Sequence, residues 1–339
     1  MALLFVSASV LVIGFYLNDT GKDFEEDRVD RTAAVLSEST ISVAYSLEDT
    51  QPIADQGGDY TRVDYGSGTG LLANAAITNL RIDDTQIYEY GPEYQNAVDA
   101  SVSSTFVGSN HNVYVVAEWR PYDDASIGGV ATAGQRPPSD ADVGSVTMTA
   151  SSGIDQFDEE ELVTAYNETD NWFEDLLSGY DPTNITDDSM NQSLTAVGMI
   201  LGEQIVEGYF PERPTQIALE SQGVDRDLTV HAYERMVGPL EYEFSGNDNP
   251  DTHPPLLRSE ADAIEANQKV LRGYDDTYLG TDGLGHWLGD DLYDAFADDI
   301  DEMDATYADD DDRDEAIGEL LAEEITLDEV QITIQTWER

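Results

Sequence analysis

Residues that could perform catalysis are present in the chain, but their spacing matches no familiar catalytic motif. The four histidines stand apart from one another, at His111, His231, His253 and His286. No H-E-x-x-H or H-x-x-x-H pair occurs, which argues against a zinc hydrolase site. The G-x-S-x-G elbow of serine hydrolases is missing as well. We therefore predict no catalytic residue, no cofactor and no enzymatic activity.

Acidic residues and glycines raise the question of cation or phosphate binding, and their arrangement favours neither. Asp and Glu number 71, so any pair of carboxylates spaced for glycoside cleavage carries little information. The acidic stretches 247–251 and 309–312 could gather solvent cations loosely, but neither completes an EF-hand loop. The glycine-rich stretch 66–70 lacks the lysine of a phosphate-binding loop. We predict no metal site, and we interpret 66–70 as a turn that leads into a helix.

Four Asn-x-Ser/Thr sequons indicate a different kind of chemistry, the attachment of glycans. One begins at Asn18, and the other three lie closer together at Asn167, Asn184 and Asn191. Sequons arise by chance in a chain rich in serine and threonine, so each is a weak signal alone. We expect the three clustered sites to be candidate N-glycosylation sites on one outward-facing surface.

The charge balance sets the conditions in which the protein must work. Lys and Arg total 15 against 71 acidic residues, which gives a formal net charge of −56. Near 1 M salt the Debye length falls to about 3 Å, and most of the resulting repulsion is screened. The composition resembles that of proteins from salt-loving archaea. A basic face for phosphate contacts is missing, so we exclude nucleic acid as a partner.

An uncharged stretch at the front of the chain, Ala2–Leu17, predicts a membrane anchor. As a helix it would be about 24 Å long, somewhat short of the roughly 30 Å of a bilayer core. We predict an uncleaved single-pass anchor in the cell membrane with an extracellular C-terminal domain; a removed signal peptide and a buried core helix are the alternatives. The lipid-facing anchor residues are expected to be Leu3, Leu4, Phe5, Val10, Leu11, Ile13, Phe15 and Leu17.

Hydrophobic periodicity divides the remainder into early strands, a long helical part and a last strand. Strands are predicted near 41–47, 60–65, 112–121, 143–150 and 325–337. Helices are predicted at 71–80, 94–106, 158–177, 189–209, 214–240, 255–274, 286–307 and 313–323. The segment 125–141 is expected to be a loop rich in glycine and proline.

These elements predict an α+β fold class, in which a long N-terminal hydrophobic helix precedes a globular domain with an antiparallel sheet and a helical insertion. Residues 1–37 would form the anchor and a stalk helix, and residues 38–339 an acidic extracellular domain. Its helix-rich part is placed at about 155–323. The last strand is expected to pair with Tyr114–Trp119 and so bring both ends of the domain into one sheet.

The uncharged N-terminal helix, without a basic flank before it, resembles that of type IV pilins and archaellin-like subunits. Position 5 is Phe5, where bacterial pilins commonly have glutamate. The resemblance implies a helix that first anchors the subunit in lipid and then packs against equivalent helices in an oligomer. The strand 114–121, Tyr-Val-Val-Ala-Glu-Trp-Arg-Pro, is similar to segments of haloarchaeal envelope proteins.

Together these features favour a structural role. We expect a pilin-like structural or accessory component of a haloarchaeal surface filament or of its assembly machinery, which forms homo- or hetero-oligomers through its N-terminal helix. The alternatives are an anchored extracellular protein that binds a ligand, and a surface protein of a halophilic virus.

Overall fold

The computed structural model describes residues 23–56, 60–82, 85–167, 189–245, 262–273, 283–307 and 310–338. They form a mixture of helices and antiparallel sheets, an α+β structure. They also divide into two compact units. The sheet unit holds the described residues up to 120, together with 127–153 and 328–338. The helical unit holds 121–126 and the described residues of 154–327.

The sheet unit contains four helices and eight strands among its described residues. The helices are α1 (Asp23–Glu38), α2 (Ile53–Gln56), α3 (Gly68–Thr78) and α4 (Gly91–Thr105). The strands are β1 (Thr40–Ser46), β2 (Thr61–Ser67), β3 (Arg81–Ile82), β4 (Thr85–Gln86), β5 (His111–Trp119), β6 (Ile127–Gly134), β7 (Val143–Ser151) and β8 (Glu329–Glu338). The helices described in the helical unit are α5 (Glu159–Asn167), α6 (Ser189–Tyr209), α7 (Glu212–Glu220), α8 (Val224–Ser245), α9 (Ala263–Arg272), α10 (Leu284–Thr306) and α11 (Asp310–Glu324).

The C-terminal strand β8 lies inside the main sheet, next to the edge strand β7. The strand order is β4-β3-β6-β5-β8-β7, and every neighbouring pair is antiparallel. In β8 the buried side chains follow the period of two expected of a strand, with Val330, Ile332 and Ile334 fully covered. Tyr114 pairs with Gln335 in this sheet, which confirms the predicted pairing of the last strand with β5.

Helix α3 packs against β5, β6, β7 and β8 and fills part of the core of the sheet unit. It begins at Gly68, three residues before the predicted start at 71, because Ser67 Oγ accepts a hydrogen bond of 3.0 Å from the Gly70 amide. Serine is a favoured N-cap residue for this reason. A Cβ on Gly68 would lie 2.8 Å from a methyl group of Leu36, so a larger residue does not fit there.

Strand β6 occupies a segment that the sequence pattern predicted to be a loop. The glycines of this segment explain the discrepancy. They suggested a turn, but in the structure they allow the backbone of β6 to lie close to α3. A Cβ on Gly129 would lie 2.1 Å from the Ala76 carbonyl oxygen. Glycine inside a strand often marks a site where another backbone comes near. The prediction for 125–141 was therefore wrong over Ile127–Gly134.

The helical unit is inserted in sequence between two strands that are neighbours in the sheet. Strand β7 ends at Ser151, which is paired with Glu329 at the start of β8. The Ser152 amide then donates a 2.8 Å hydrogen bond to the Asp328 carbonyl. The two chain segments that lead into and out of the helical unit therefore start side by side, like the two arms of a hairpin.

Helices α6 and α10 approach each other through glycines. Gly198 and Gly202 form a G-x-x-x-G pattern on α6, and Gly285 and Gly289 form another on α10. A Cβ on Gly198 would lie 2.2 Å from the Gly285 carbonyl oxygen and 2.5 Å from the Gly289 amide nitrogen. No side chain fits between the helices at this crossing, so their backbones are in direct contact.

The structure corrects the prediction of a single-pass membrane protein with an extracellular C-terminal domain. In the part of the chain that is described, no helix is both long and apolar enough to cross a bilayer. The predicted fold class is wrong for the same reason, because it placed a long hydrophobic helix at the N-terminus. The coarser description, mixed helices and sheets, is what the structure supports. The stretch Ala2–Leu17, with all the anchor residues, lies outside the described residues.

We expect the sheet unit to fold without the inserted helices. Removal of residues 153–327, with Ser152 joined to Asp328 by Asn-Gly, should turn β7 and β8 into a hairpin, because Asn-Gly favours the two-residue turn that matches strand twist. Circular dichroism during heating should show one cooperative transition. The same deletion with Ile334→Asp, which places a charge in the core, should show none. A gradual loss of signal without a transition in the first protein would contradict this expectation.

We expect Gly198→Ala to destabilise the protein by about 1–3 kcal/mol, the typical cost of overpacking a tight contact. Gly223→Ala is the matched control, because a Cβ at Gly223 meets no atom within 4 Å. Denaturant unfolding in concentrated KCl would measure both changes. Equal stability of the two variants would show that the α6–α10 crossing is looser than described.

Candidate association surface

The strands β1 and β2 form a hairpin that is separate from the six-stranded sheet. Thr40 pairs with Ser67 at one end, and Ser46 pairs with Thr61 at the other. Among the described residues, no third strand pairs with either of them. The hairpin therefore has two faces, and the outer edge of β2, called here the open edge, pairs with no strand in the described part of the chain.

The inner face of β1 is apolar and packs on helix α4. Ile41, Val43 and Tyr45 are all buried, at alternate positions of the strand. In antiparallel pairs, residues directly opposite share a face. Arg62 lies opposite Tyr45, and Asp64 lies opposite Val43. The hairpin thus turns two opposite charges toward its half-buried inner side.

A group of tyrosines surrounds these two charges. The ring of Tyr45 meets that of Tyr94 edge-on, with centroids 4.9 Å apart, and stacks at 6.0 Å on Tyr90. Such aromatic pairs contribute about 0.5–1.5 kcal/mol beyond the area they bury. Burial raises the pKa of Tyr90 to about 12 and raises the pKa values of Tyr45 and Tyr94 further. All three phenols therefore stay neutral at physiological pH and act as packing groups.

Burial also raises the pKa of the Asp64 carboxyl, and the nearby Arg62 guanidinium and the Tyr45 hydroxyl offset only part of this effect. The ionised carboxylate is thus less favourable in the folded protein than in the unfolded chain. Because the folded state holds this proton more tightly, the contribution of Asp64 to stability falls as the pH rises through its folded pKa.

The outer face of the hairpin carries no charge. Tyr65 is 69% exposed and Val63 is 46% exposed, although both are large and apolar. One residue in four of the chain is charged, so a whole exposed sheet face without charge is unusual for this molecule. The four cross-strand pairs on this face are Thr40–Ser67, Ser42–Tyr65, Ala44–Val63 and Ser46–Thr61.

A shallow groove in the sheet unit is another candidate site. It is lined by Val102, Phe106, Val107 and His111 among others, and its volume is about 120 Å³. Ligand pockets typically measure about 300–1,000 Å³. The groove is too small for a drug-sized molecule, and we do not assign it a ligand.

Three of the four histidines lie among the described residues, each in a different element. His111 Nε2 lies 3.3 Å from the Thr32 hydroxyl, and His286 Nδ1 lies 3.3 Å from an Asp290 carboxylate oxygen. His231 lies in α8, and His253 is outside the described residues. Over the described ranges, no three His, Asp or Glu side chains converge as metal ligands.

The candidate glycosylation sites have different surroundings. Asn167 is exposed at the end of α5, and Asn184 is outside the described residues. Asn191 lies in α6, and Ser193 of the same sequon is only 9% exposed. A sequon inside a helix with a buried serine is a poor acceptor, so Asn167 is the better candidate of the two that are described. Modification of these sites stays a prediction.

Sequence analysis identified both strands of the hairpin but missed its outer face. The signal was present in β2, Thr-Arg-Val-Asp-Tyr-Gly-Ser, in which charged and uncharged residues alternate. The alternation places Arg62 and Asp64 on one side and Val63 and Tyr65 on the other. It could not be interpreted without knowing that the charged side faces inward, which is opposite to the usual arrangement.

Comparison with known proteins yields a family but no function. A family model described as a family of unknown function (DUF7284) matches residues 1–337. No curated protein and no solved structure matches the chain. Any function must therefore be argued from the geometry and charges described above.

We expect Asp64→Asn to raise the melting temperature of dilute protein at neutral pH, because it removes a carboxylate that burial disfavours. The gain should shrink as the pH falls below the folded pKa of Asp64, where the parent carboxyl is already protonated. Asp49→Asn, in the exposed loop after β1, is the control and should change little. A lower melting temperature for Asp64→Asn at every pH would show that the attraction of Arg62 outweighs the cost of burial.

Proposed function

The chain belongs to the DUF7284 family, whose function is unknown, and we propose that it is a self-associating structural subunit, pilin-like in its role, that works in concentrated salt. The observation that carries this proposal is the uncharged, exposed outer face of the β1–β2 hairpin. A function through association needs a surface of this kind, whereas catalysis needs a converging set of reactive groups.

The net charge explains why an uncharged face matters. Two copies of a chain with a formal charge of −56 repel each other at long range. In molar salt this repulsion is largely screened, since the Debye length is then about 3 Å. The cost of desolvating carboxylates at a contact remains, because it is a local effect. A hairpin whose exposed face has no carboxylates limits that cost, so contact between copies is most favourable at the hairpin.

The size of the hairpin limits the strength of the contact. Each strand has seven residues, which corresponds to a length of about 23 Å, and two strands are about 10 Å wide. One face therefore offers roughly 230 Å², compared with about 800 Å² per partner in a stable complex. The hairpin would form the centre of a weak contact that depends on high local concentration, as between subunits of an assembly.

The pilin-like part of the proposal rests on residues 1–37, most of which lie outside the described residues. Helix α1 is described from Asp23, and it packs against α3, β7 and β8. Its side chains Val29, Thr32 and Leu36 are buried. The proposal therefore assigns self-association to the hairpin, and it makes no use of a membrane anchor.

We expect Val63→Glu combined with Tyr65→Glu to abolish self-association while leaving the fold intact, because both side chains point outward. Ile217→Glu is the matched control, since Ile217 is 58% exposed but lies in the helical unit. Light scattering coupled to size exclusion in multi-molar KCl would give the mass of each protein. The parent and the control should exceed the 37.2 kDa of one chain, and the hairpin variant should not. A parent protein that stays monomeric at every concentration would refute the proposed function.

A further inference from the structure

We infer that two copies of the chain join edge to edge through β2, antiparallel, with Val63 on the twofold axis between them. The inference rests on the proposed self-association and specifies its geometry. The occupant of the open edge of β2 is thus a second copy. The result is a four-stranded sheet made from two hairpins, in which the two uncharged outer faces form one continuous face.

The main-chain groups of β2 alternate in direction, and one observed hydrogen bond fixes which residues face the open edge. The Leu47 amide donates to the Tyr60 carbonyl at 2.8 Å, which identifies the Leu47–Tyr60 pair as hydrogen-bonded. Hydrogen-bonded and non-hydrogen-bonded pairs alternate along an antiparallel ladder. Arg62 and Asp64 therefore turn their main-chain groups toward β1. Val63, between them, turns its amide and carbonyl toward the open edge.

The charges of β2 match a second copy in one register. When Val63 pairs with the partner's Val63, Arg62 comes opposite the partner's Asp64, and Asp64 opposite the partner's Arg62. Opposite charges directly across an antiparallel pair are favourable. The guanidinium has five donors, so Arg62 can keep its neighbours within its own copy and still reach the partner.

Other twofold registers lose this match. An axis through Arg62 would place two guanidinium groups opposite each other, and an axis through Asp64 would do the same for two carboxylates. An axis through Thr61 or Tyr65 leaves part of the strand without a partner. The register centred on Val63 also joins three hydrogen-bonded pairs, or about six main-chain hydrogen bonds.

The inward charges also explain how the open edge is protected from unrelated strands. Charged residues that point inward on an edge strand are a known device against unwanted strand pairing. Here a strand without complementary charges would bring Arg62 or Asp64 against an apolar or like-charged residue. A second copy supplies the complement, so the same two residues disfavour other partners and favour this one.

The chain contains no cysteine, so one introduced thiol reports the contact without interference. At a hydrogen-bonded pair the two Cα atoms lie about 5.5 Å apart, a separation that a disulfide can bridge. Val63→Cys should form covalent dimers under mild oxidation in multi-molar KCl. Val107→Cys, at a position 80% exposed and outside the hairpin, should do so at least about tenfold more slowly. Equal rates for the two variants would overturn the inferred register.

Charge exchange gives an independent test of the same register. Arg62→Asp alone, or Asp64→Arg alone, places like charges across the axis, and each variant should lose the dimer. A mixture of the two variants should recover it, and so should the double variant Arg62→Asp with Asp64→Arg. Recovery on mixing would also show that both single variants fold.

The outcomes separate the inference from the function on which it rests. If the parent associates through its hairpin, but the charge exchanges have no effect, the register is wrong and self-association stands. If the parent does not associate at any concentration, both the inferred register and the proposed self-association are wrong.

Discussion

The sheet unit depends on the position of β8, which inserts between β5 and β7 after the chain has completed a whole helical unit. Its two neighbours, β5 and β7, are paired to it along most of their length and do not pair with each other. Without β8 the sheet would divide in two. Such distant pairing requires closure of a long loop before any contact forms, which slows folding. The buried isoleucines Ile332 and Ile334 supply the apolar burial that offsets this cost.

The sequence allowed prediction of the features that depend on local pattern. The β-branched and aromatic composition of β5 and the apolar positions of β8 predicted both strands, and their pairing was predicted as well. A helix was also predicted to follow the glycine-rich stretch 66–70. The prediction failed where one composition is compatible with two structures. The glycines of β6 are typical of a loop, but here they allow close contact between the strand and α3. The uncharged face of the hairpin was missed because it can be recognised only when the buried side of β2 is known. The sequence does not indicate that a carboxylate such as Asp64 faces inward. The G-x-x-x-G patterns at Gly198 and Gly285 were visible, but their pairing across helices was not.

The high net charge of the molecule and the uncharged outer face of the hairpin together explain where copies of the chain can make contact. A protein with 71 acidic residues associates with its own copies most easily where few carboxylates lose water and those that do meet an opposite charge. The hairpin has no charge on its outer face, and the inferred register sets the two charged residues of β2 opposite their complements in a second copy. The tyrosines Tyr45, Tyr90 and Tyr94 hold this arrangement against α4.

Hydrogen exchange of the β2 amides tests the central claim most directly, because exchange reports whether an edge amide is bonded. The parent chain would be compared in multi-molar KCl at low and high protein concentration. If copies join through the β2 edge, the Val63 amide should exchange freely at low concentration and become protected at high concentration, whereas Arg62 and Asp64 should be protected at both. Fast exchange of Val63 at every concentration would contradict the claim that this edge is where the chain associates.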